Sequence, residues 1–218
     1  GDKVRDQWLG MIRRDPPARI GRIAPEHKTG DMRDIIALFA GPGRINVDEN
    51  HVLNTLVHNP ELARHFLLFN RYLLMSSTLP VRLRQIAIMR VAWVRKARYV
   101  WSSHLRTSLR NGLSGEEFEP VKEGETSAYW NAEERIILRA TDQAMENSDL
   151  DDATWHALSG FLDQQQIMDF LFTVGAYALL GMACNALRIE REEALLELAE
   201  KYGAPPDRRR ARSGQAGG

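Results

Sequence analysis

Residues 58–94, "HNPELARHFLLFNRYLLMSSTLPVRLRQIAIMRVAWV", decide the fold. Asn59 stands where a helix needs an N-cap. Pro60 suits the first helical position because its missing N–H would be an orphan there, and Glu61 sets a carboxylate at the positive end of the helix dipole. The pattern predicts a helix from Pro60 to Met75. "SSTLP" then repeats the same start, with Thr78 or Leu79 preceding Pro80. Beyond it Leu83, Ile86, Ala87, Arg90 and Val94 recur at helical spacing, which predicts a second helix.

The same signals continue outward. Residues 97–114, "ARYVWSSHLRTSLRNGLS", give a third helix, ended by Asn111 and Gly112 as a left-handed exit. "SGEE" and "NAEE" are capping boxes, Ser114 with Glu117 and Asn131 with Glu134, each opening a further helix. The second of these carries Ile136, Ile137, Ala140 and Met145 on its apolar side. "DDATWHAL" starts another with Asp151 or Asp152 as cap, and "DQQQIMDF" leads into a long apolar helix. No run of alternating strand residues interrupts the pattern, so the fold class is all-α. Residues 1–50 hold shorter helical pieces separated by "DPPARIGRIAP" and "AGPGR". The expected organisation is an N-terminal extension over 1–17, one helical domain over 18–202, and a disordered basic tail over 203–218.

Composition limits the function classes. The chain has 218 residues, 44% of them hydrophobic, enough for a substantial core. Lys plus Arg and Asp plus Glu both number 29, so there is no overall basic field, and nucleic acid is not expected as a partner. The "RRRAR" run at 208–212 is the one feature that points the other way. The single cysteine, Cys184, excludes an intramolecular disulfide and a thiolate metal cluster and fits a cytoplasmic setting. The charged N-terminal stretch lacks the apolar region of a secretory signal. Phe170–Leu187 has no formal charge and is long enough to suggest a membrane span. Its two glycines, Thr173, Asn185 and the lack of basic flanking clusters favour a buried core or subunit-interface helix.

Taken together, "HNPELARHFLLFNRYLLMSSTLPVRLRQIAIMRVAW", the stretch 97–114 and "DATWHALSGFLDQQQIMDFLFTVGAYALLGMACNALRI" resemble the carboxymuconolactone decarboxylase and alkylhydroperoxidase D-like superfamily over about residues 18–190. The resemblance implies an all-helical bundle subunit that assembles into a homo-oligomer, a trimer or hexamer, with the active cavity walled by these helices. In the peroxidase branch a Cys-x-x-Cys pair precedes a His, and a Glu lies on the preceding helix. A thiolate attacks peroxide, a second thiol closes the disulfide, and the Glu and His move protons. By position these roles fall on Ala97, Val100, Gln85 and His104, so only the histidine is retained. Neither Ala97 nor Val100 is a nucleophile and Gln85 is no base near neutral pH, so thiol peroxidase activity is not expected.

The decarboxylase branch works without a redox thiol and also carries a His followed by a segment like "HLRTSLRNGLS". The resemblance therefore implies a lyase, acting without metal or organic cofactor on a small aromatic-derived or lactone substrate. Its needs are a donor near the developing enolate, a proton shuttle and a dry pocket. A vestigial peroxidase and a non-catalytic oligomeric ligand-binding protein are the alternatives.

His104 is the candidate acid/base, since imidazole titrates nearest neutrality. Tyr99 and Gln85 complete the expected catalytic set. Tyr99 brings a hydroxyl that can polarise a carbonyl or phenol, and Gln85 an amide that can orient a ligand. Trp101, on the same helical face as His104, is the expected aromatic wall, although the same spacing suits a core residue. Ser103 is expected to bind substrate by hydrogen bonds, and Arg90, Arg95 and Arg98 offer guanidinium forks for a substrate carboxylate. His51, His58 and His65 recur every seven residues, but the helix start at "HNP" breaks the stripe, so no metal site is expected.

Overall fold

The computed structural model describes residues 2–13, 15–39 and 47–207. The "AGPGR" segment and the "RRRAR" run lie outside the described residues. In chain order the α-helices are α1 (Asp2–Arg13), α2 (Gly30–Ala37), α3 (His51–Leu56), α4 (Pro60–Met75), α5 (Val81–Val94), α6 (Arg98–Arg110), α7 (Phe118–Glu123), α8 (Ala132–Asn147), α9 (Asp152–Ser159), α10 (Gln164–Leu187) and α11 (Glu193–Tyr202). Among the described residues there is no β-strand, and the fold class is all-α as the sequence indicates.

The helix starts follow the capping chemistry. The Asn59, Asn131, Asp151 and Asp163 side chains each accept a backbone N–H of the first turn. Pro80 is itself the cap of α5: its ψ of 129° is extended, its carbonyl takes the Arg84 N–H at 2.9 Å, and the helix begins at Val81. At the end of α6 the left-handed residue is Gly112, with φ of 93°, while Asn111 stays at negative φ. The Arg82 guanidinium then ties both capping boxes to α5, through Glu134 at 2.6 Å and through Glu117.

Helix α5 is the centre of the molecule. It packs against α6, α8 and α10, and Leu83 through Met89 are all buried. A helix covered on every side buries its polar residues too, which is why Arg84 and Gln85 are inside. A second apolar cluster joins α2, α3 and α4 through Ile35, Ile36, Leu53, Val57, Ala63 and Leu67. A third, with Val52, Tyr99, Cys184, Ile189 and Leu195, joins α3, α6, α10 and α11.

Helix α10 is long and apolar enough to cross a membrane, yet half of its apolar window is buried inside the molecule. Met168, Phe172, Leu179 and Met182 are exposed on its other side. The segment after α1 crosses the end of α10, where the Arg19 N–H bonds the Leu187 carbonyl at 2.9 Å and Asp15 pairs with Arg191 at 2.9 Å. Helix α11, which has no start signal in the sequence reading, packs on α6. Beyond it Gly203 and Pro205 are buried, so the segment expected to be a disordered tail begins with packed residues. Residues 208–218 lie outside the described residues.

Candidate functional site

Helix α6 carries His104 on its buried side, with 7% of the residue exposed. Its Nδ1 lies 3.3 Å from Oε1 of Gln85, on α5. The Ser108 hydroxyl, one turn beyond His104, donates to the same oxygen at 3.1 Å. An amide oxygen only accepts, so this network assigns the imidazole proton to Nδ1 and leaves Nε2 with its lone pair. Gln85 Nε2 is buried without a hydrogen-bond partner among the described residues. The other side of the imidazole meets Tyr177 of α10 edge-on, with ring centroids 4.8 Å apart.

His104 lines a cavity of about 90 Å³, room for roughly three water molecules. Its walls are mostly apolar, including Val52, Phe66, Leu67, Val100 and Leu180, and the polar groups on it are few: Asn50, Asn70, Ser103, Thr107, Tyr177 and His104 itself. Burial pushes the imidazole down to about 3, and the Arg84 and Arg106 charges add to the shift. His104 is therefore neutral at pH 7. Burial raises the Tyr177 hydroxyl, which stays a phenol beside Asn70.

The other residues singled out by sequence fall into three groups. Ser103 lines the His104 cavity, as does the Tyr99 ring. The Tyr99 hydroxyl is directed elsewhere, donating to Glu192 Oε1 at 2.5 Å, and burial followed by the Glu192 charge raises its pKa well above that of an ordinary tyrosine. Trp101 is fully buried in the main core. Its Nε1–H bonds the Gly203 carbonyl at 2.9 Å and its ring packs on Trp93 and Phe118, so it is no part of the cavity wall. Three residues apart on a helix is about 60° of rotation, enough to put Trp101 and His104 in different packing layers.

None of the three arginines lines this cavity. Arg90 makes a two-pronged pair with Asp142 at 2.7 and 2.8 Å and bonds the carbonyls of Val121 and Lys122. Arg95 bonds the Met145 carbonyl, and Arg98 lies 3.7 Å from Asp15. Arg95 and Arg98 instead line a second, larger cavity of about 710 Å³ between the α5–α6 turn, the end of α10 and the segment around Asp15.

Of the positions that correspond to the two peroxidase cysteines, Val100 lines the His104 cavity and Ala97 does not. Ala97 and Val100 are buried, and α10 approaches so near that a Cβ on Gly181 would lie 2.7 Å from the Ala97 Cβ. Burial pushes the Cys184 thiol up to about 12, with Glu192 adding to the shift. His51, His58 and His65 each bond a different partner, Glu190, Gly21 and Glu61. Among the described residues no group of three or more metal-ligating side chains comes together.

Sequence reasoning missed Ser108, Asn70 and Tyr177. Ser108 is legible as the residue one turn after His104, and Asn70 as an amide set among the apolar residues of α4. Tyr177 sits in a helix apolar all round and offers no such signal.

Residues 60–143 match the model of the carboxymuconolactone decarboxylase family. No curated protein matches the chain significantly. Among solved structures, an uncharacterized peroxidase-related protein with an alkylhydroperoxidase AhpD core, from Ralstonia eutropha JMP134, superposes with a TM-score of 0.69 and 16% identity, covering 86% of this chain and 98% of its own. A cysteine-to-alanine variant of the debrominase Bmp8, in complex with 2,3,4-tribromopyrrole, superposes with a TM-score of 0.66 and 18% identity, over 87% of this chain and all of its own. A protein of unknown function from Agrobacterium tumefaciens gives 0.60 and 18%, over 64% and 96%. Residues 60–143, from α4 into α8, thus match the carboxymuconolactone decarboxylase family, the fold is that of AhpD-like proteins, and the lone cysteine lies outside the positions of a Cys-x-x-Cys pair.

Proposed function

We propose that the chain is a cofactor-independent lyase or isomerase that moves a proton on a small aromatic-derived or lactone substrate at His104, in a cavity that widens beyond its about 90 Å³ to admit it. The observation that carries this reading is the one-sided fixation of His104: Gln85, whose Oε1 also takes the Ser108 hydroxyl, holds Nδ1, and Nε2 makes no hydrogen bond among the described residues. A neutral imidazole with a pKa of about 3 is a weak base in the empty cavity. It becomes a stronger one as negative charge develops on a bound substrate, because an adjacent anion offsets burial and the Arg84 and Arg106 charges. Proton uptake is thus coupled to formation of the substrate enolate. Nε2 takes the proton from a substrate hydroxyl or carboxyl as the C–C bond breaks, the bonding pair passes into the enolate, and the proton is then delivered to the carbon that lost the bond. The apolar walls exclude water from the anion while it lasts.

Thiol peroxidase turnover is not expected, since Ala97 and Val100 supply no thiol and Cys184 stays protonated in the core. The solved complex of a cysteine-to-alanine variant of the debrominase Bmp8, similar in fold, with 2,3,4-tribromopyrrole supports a small aromatic ligand for this chain. A second reading, a ligand-binding protein without catalysis, is favoured by the low basicity of the empty site.

The proposed protein is cytoplasmic, with a small molecule as partner and neither nucleic acid nor membrane. The proposed homo-oligomer, a trimer or hexamer, would cover the exposed Met168 and Phe172 of α10, four residues apart and so on one face of the helix. The test is to incubate wild type and His104→Gln with a pool of aromatic acids, lactones and phenols, without added cofactor, and follow masses. Wild-type-only loss of carbon dioxide, formaldehyde or water supports the lyase. Retention of one compound by both proteins, unchanged in mass, supports the binding reading instead.

A further inference from the structure

The larger cavity has a character of its own. Leu179 and Met182 of α10 give it an apolar edge, and the cations Arg19, Arg95, Lys96, Arg98, Arg188 and Arg191 line it against the two carboxylates of Asp15 and Asp207. Those carboxylates are engaged, Asp15 with Arg191 and Arg98, and Asp207 with Arg98. Subtracting two from six leaves a formal excess of four positive charges among the described residues around about 710 Å³. Arg19 bonds the Ala186 carbonyl and Arg95 the carbonyl and sulfur of Met145, uncharged acceptors that leave both charges in place. The Lys96 ammonium makes no hydrogen bond or ion pair among the described residues.

Two of these cations sit where a helix exit ordinarily has glycine. Lys96 leaves α5 with φ of 53° and Arg188 leaves α10 with φ of 54°. A side chain in the left-handed region is strained, and Gly or Asn relieves the strain. The negative end of the helix dipole accounts for a positive charge near each exit. It does not account for that charge on the one residue with positive φ at both exits, nor for both facing one cavity. The exits are joined, since Asn185 Nδ2 donates to the Lys96 carbonyl at 3.2 Å.

We propose that this cavity binds a small organic anion with an apolar body, a carboxylate whose charged end lies at Lys96 and Arg188 and whose body lies on Leu179 and Met182. It is separate from the His104 cavity and shares one wall with it, the Tyr99 ring. The ligand chemistry fits an aliphatic or an aromatic acid, and the two are separate arms of the test.

The experiment is calorimetric titration of the full chain at pH 7.5 and low salt with decanoate and 2-naphthoate, and with decanol and 2-naphthol as uncharged counterparts. At least one carboxylate binds about tenfold more tightly than its alcohol, and added salt weakens it. Lys96→Gly weakens that binding about tenfold while leaving the melting temperature unchanged or higher, because glycine suits the left-handed backbone and only the charge is lost. Lys96→Arg retains binding. His104→Gln leaves it unchanged, which separates this site from the catalytic proposal. Equal affinity for acid and alcohol, no binding of either carboxylate at millimolar concentration, unchanged binding in Lys96→Gly, or loss of binding in His104→Gln would each overturn the assignment.

Discussion

Gln85 Oε1 lies 3.3 Å from His104 Nδ1, and it is the oxygen that also takes the Ser108 hydroxyl. An amide there orients the ring without attracting a proton to it. A carboxylate would do both. Gln85→Glu is therefore expected to raise the His104 pKa from about 3 by more than one unit, read from the imidazole resonances in an NMR titration. An unchanged titration would mean that the two side chains do not interact as described.

The low His104 pKa also sets a pH dependence of stability. Its folded value of about 3 is below the 6.5 of a free histidine. Between these values the unfolded chain takes up a proton that the folded chain refuses, so stability falls as pH drops through that window and is retained above it. The total loss is on the order of a few kcal/mol. Urea unfolding at pH 7 and pH 4.5 measures it, and His104→Gln should flatten the dependence relative to wild type.

Arg90 is expected to matter for stability alone. Removing its side chain leaves Asp142 and the Val121 and Lys122 carbonyls without their donor, at a cost of about 2–3 kcal/mol. Arg90→Ala should lower the denaturant midpoint, while activity or ligand binding per folded molecule stays as in wild type.

The contact between Gly181 and Ala97 has a sharper signature. A Cβ at residue 181 would meet the Ala97 Cβ at 2.7 Å, and each atom is fixed directly to backbone, one within α10 and the other at the cap of α6. Gly181→Ala should destabilise by about 1–3 kcal/mol, as overpacked positions do. Adding Ala97→Gly removes the clash and should recover part of the loss, which a two-by-two comparison of melting temperatures reads directly.

The fold was legible because its signals are local. Asn59-Pro60-Glu61 and the Asn131–Glu134 box lie within single turns, and the helices begin where those residues place them. The site was legible only in part because it depends on which residues of different helices meet. His104 and Ser103 come to the cavity, whereas Trp101, on nearly the same face of α6, is drawn into the main core by Trp93 and Phe118. Arg90 and Arg98 carry the charge that suits a carboxylate ligand, but Asp142 and Asp15 already hold them, and the acids lie 52 and 83 positions away in the chain. Tyr177 was hidden for the opposite reason: in a helix without polar periodicity, one tyrosine looks like any other core residue.

The account rests on proton transfer by His104, and the most direct measurement is turnover in D2O. Wild type and His104→Gln are incubated with the aromatic acid and lactone pool, and product masses are read for deuterium bound to carbon. The account predicts a new wild-type product carrying deuterium at the carbon that loses or shifts its bond, and no such product with His104→Gln. The same product, formed at the same rate with the same label by both proteins, would contradict it.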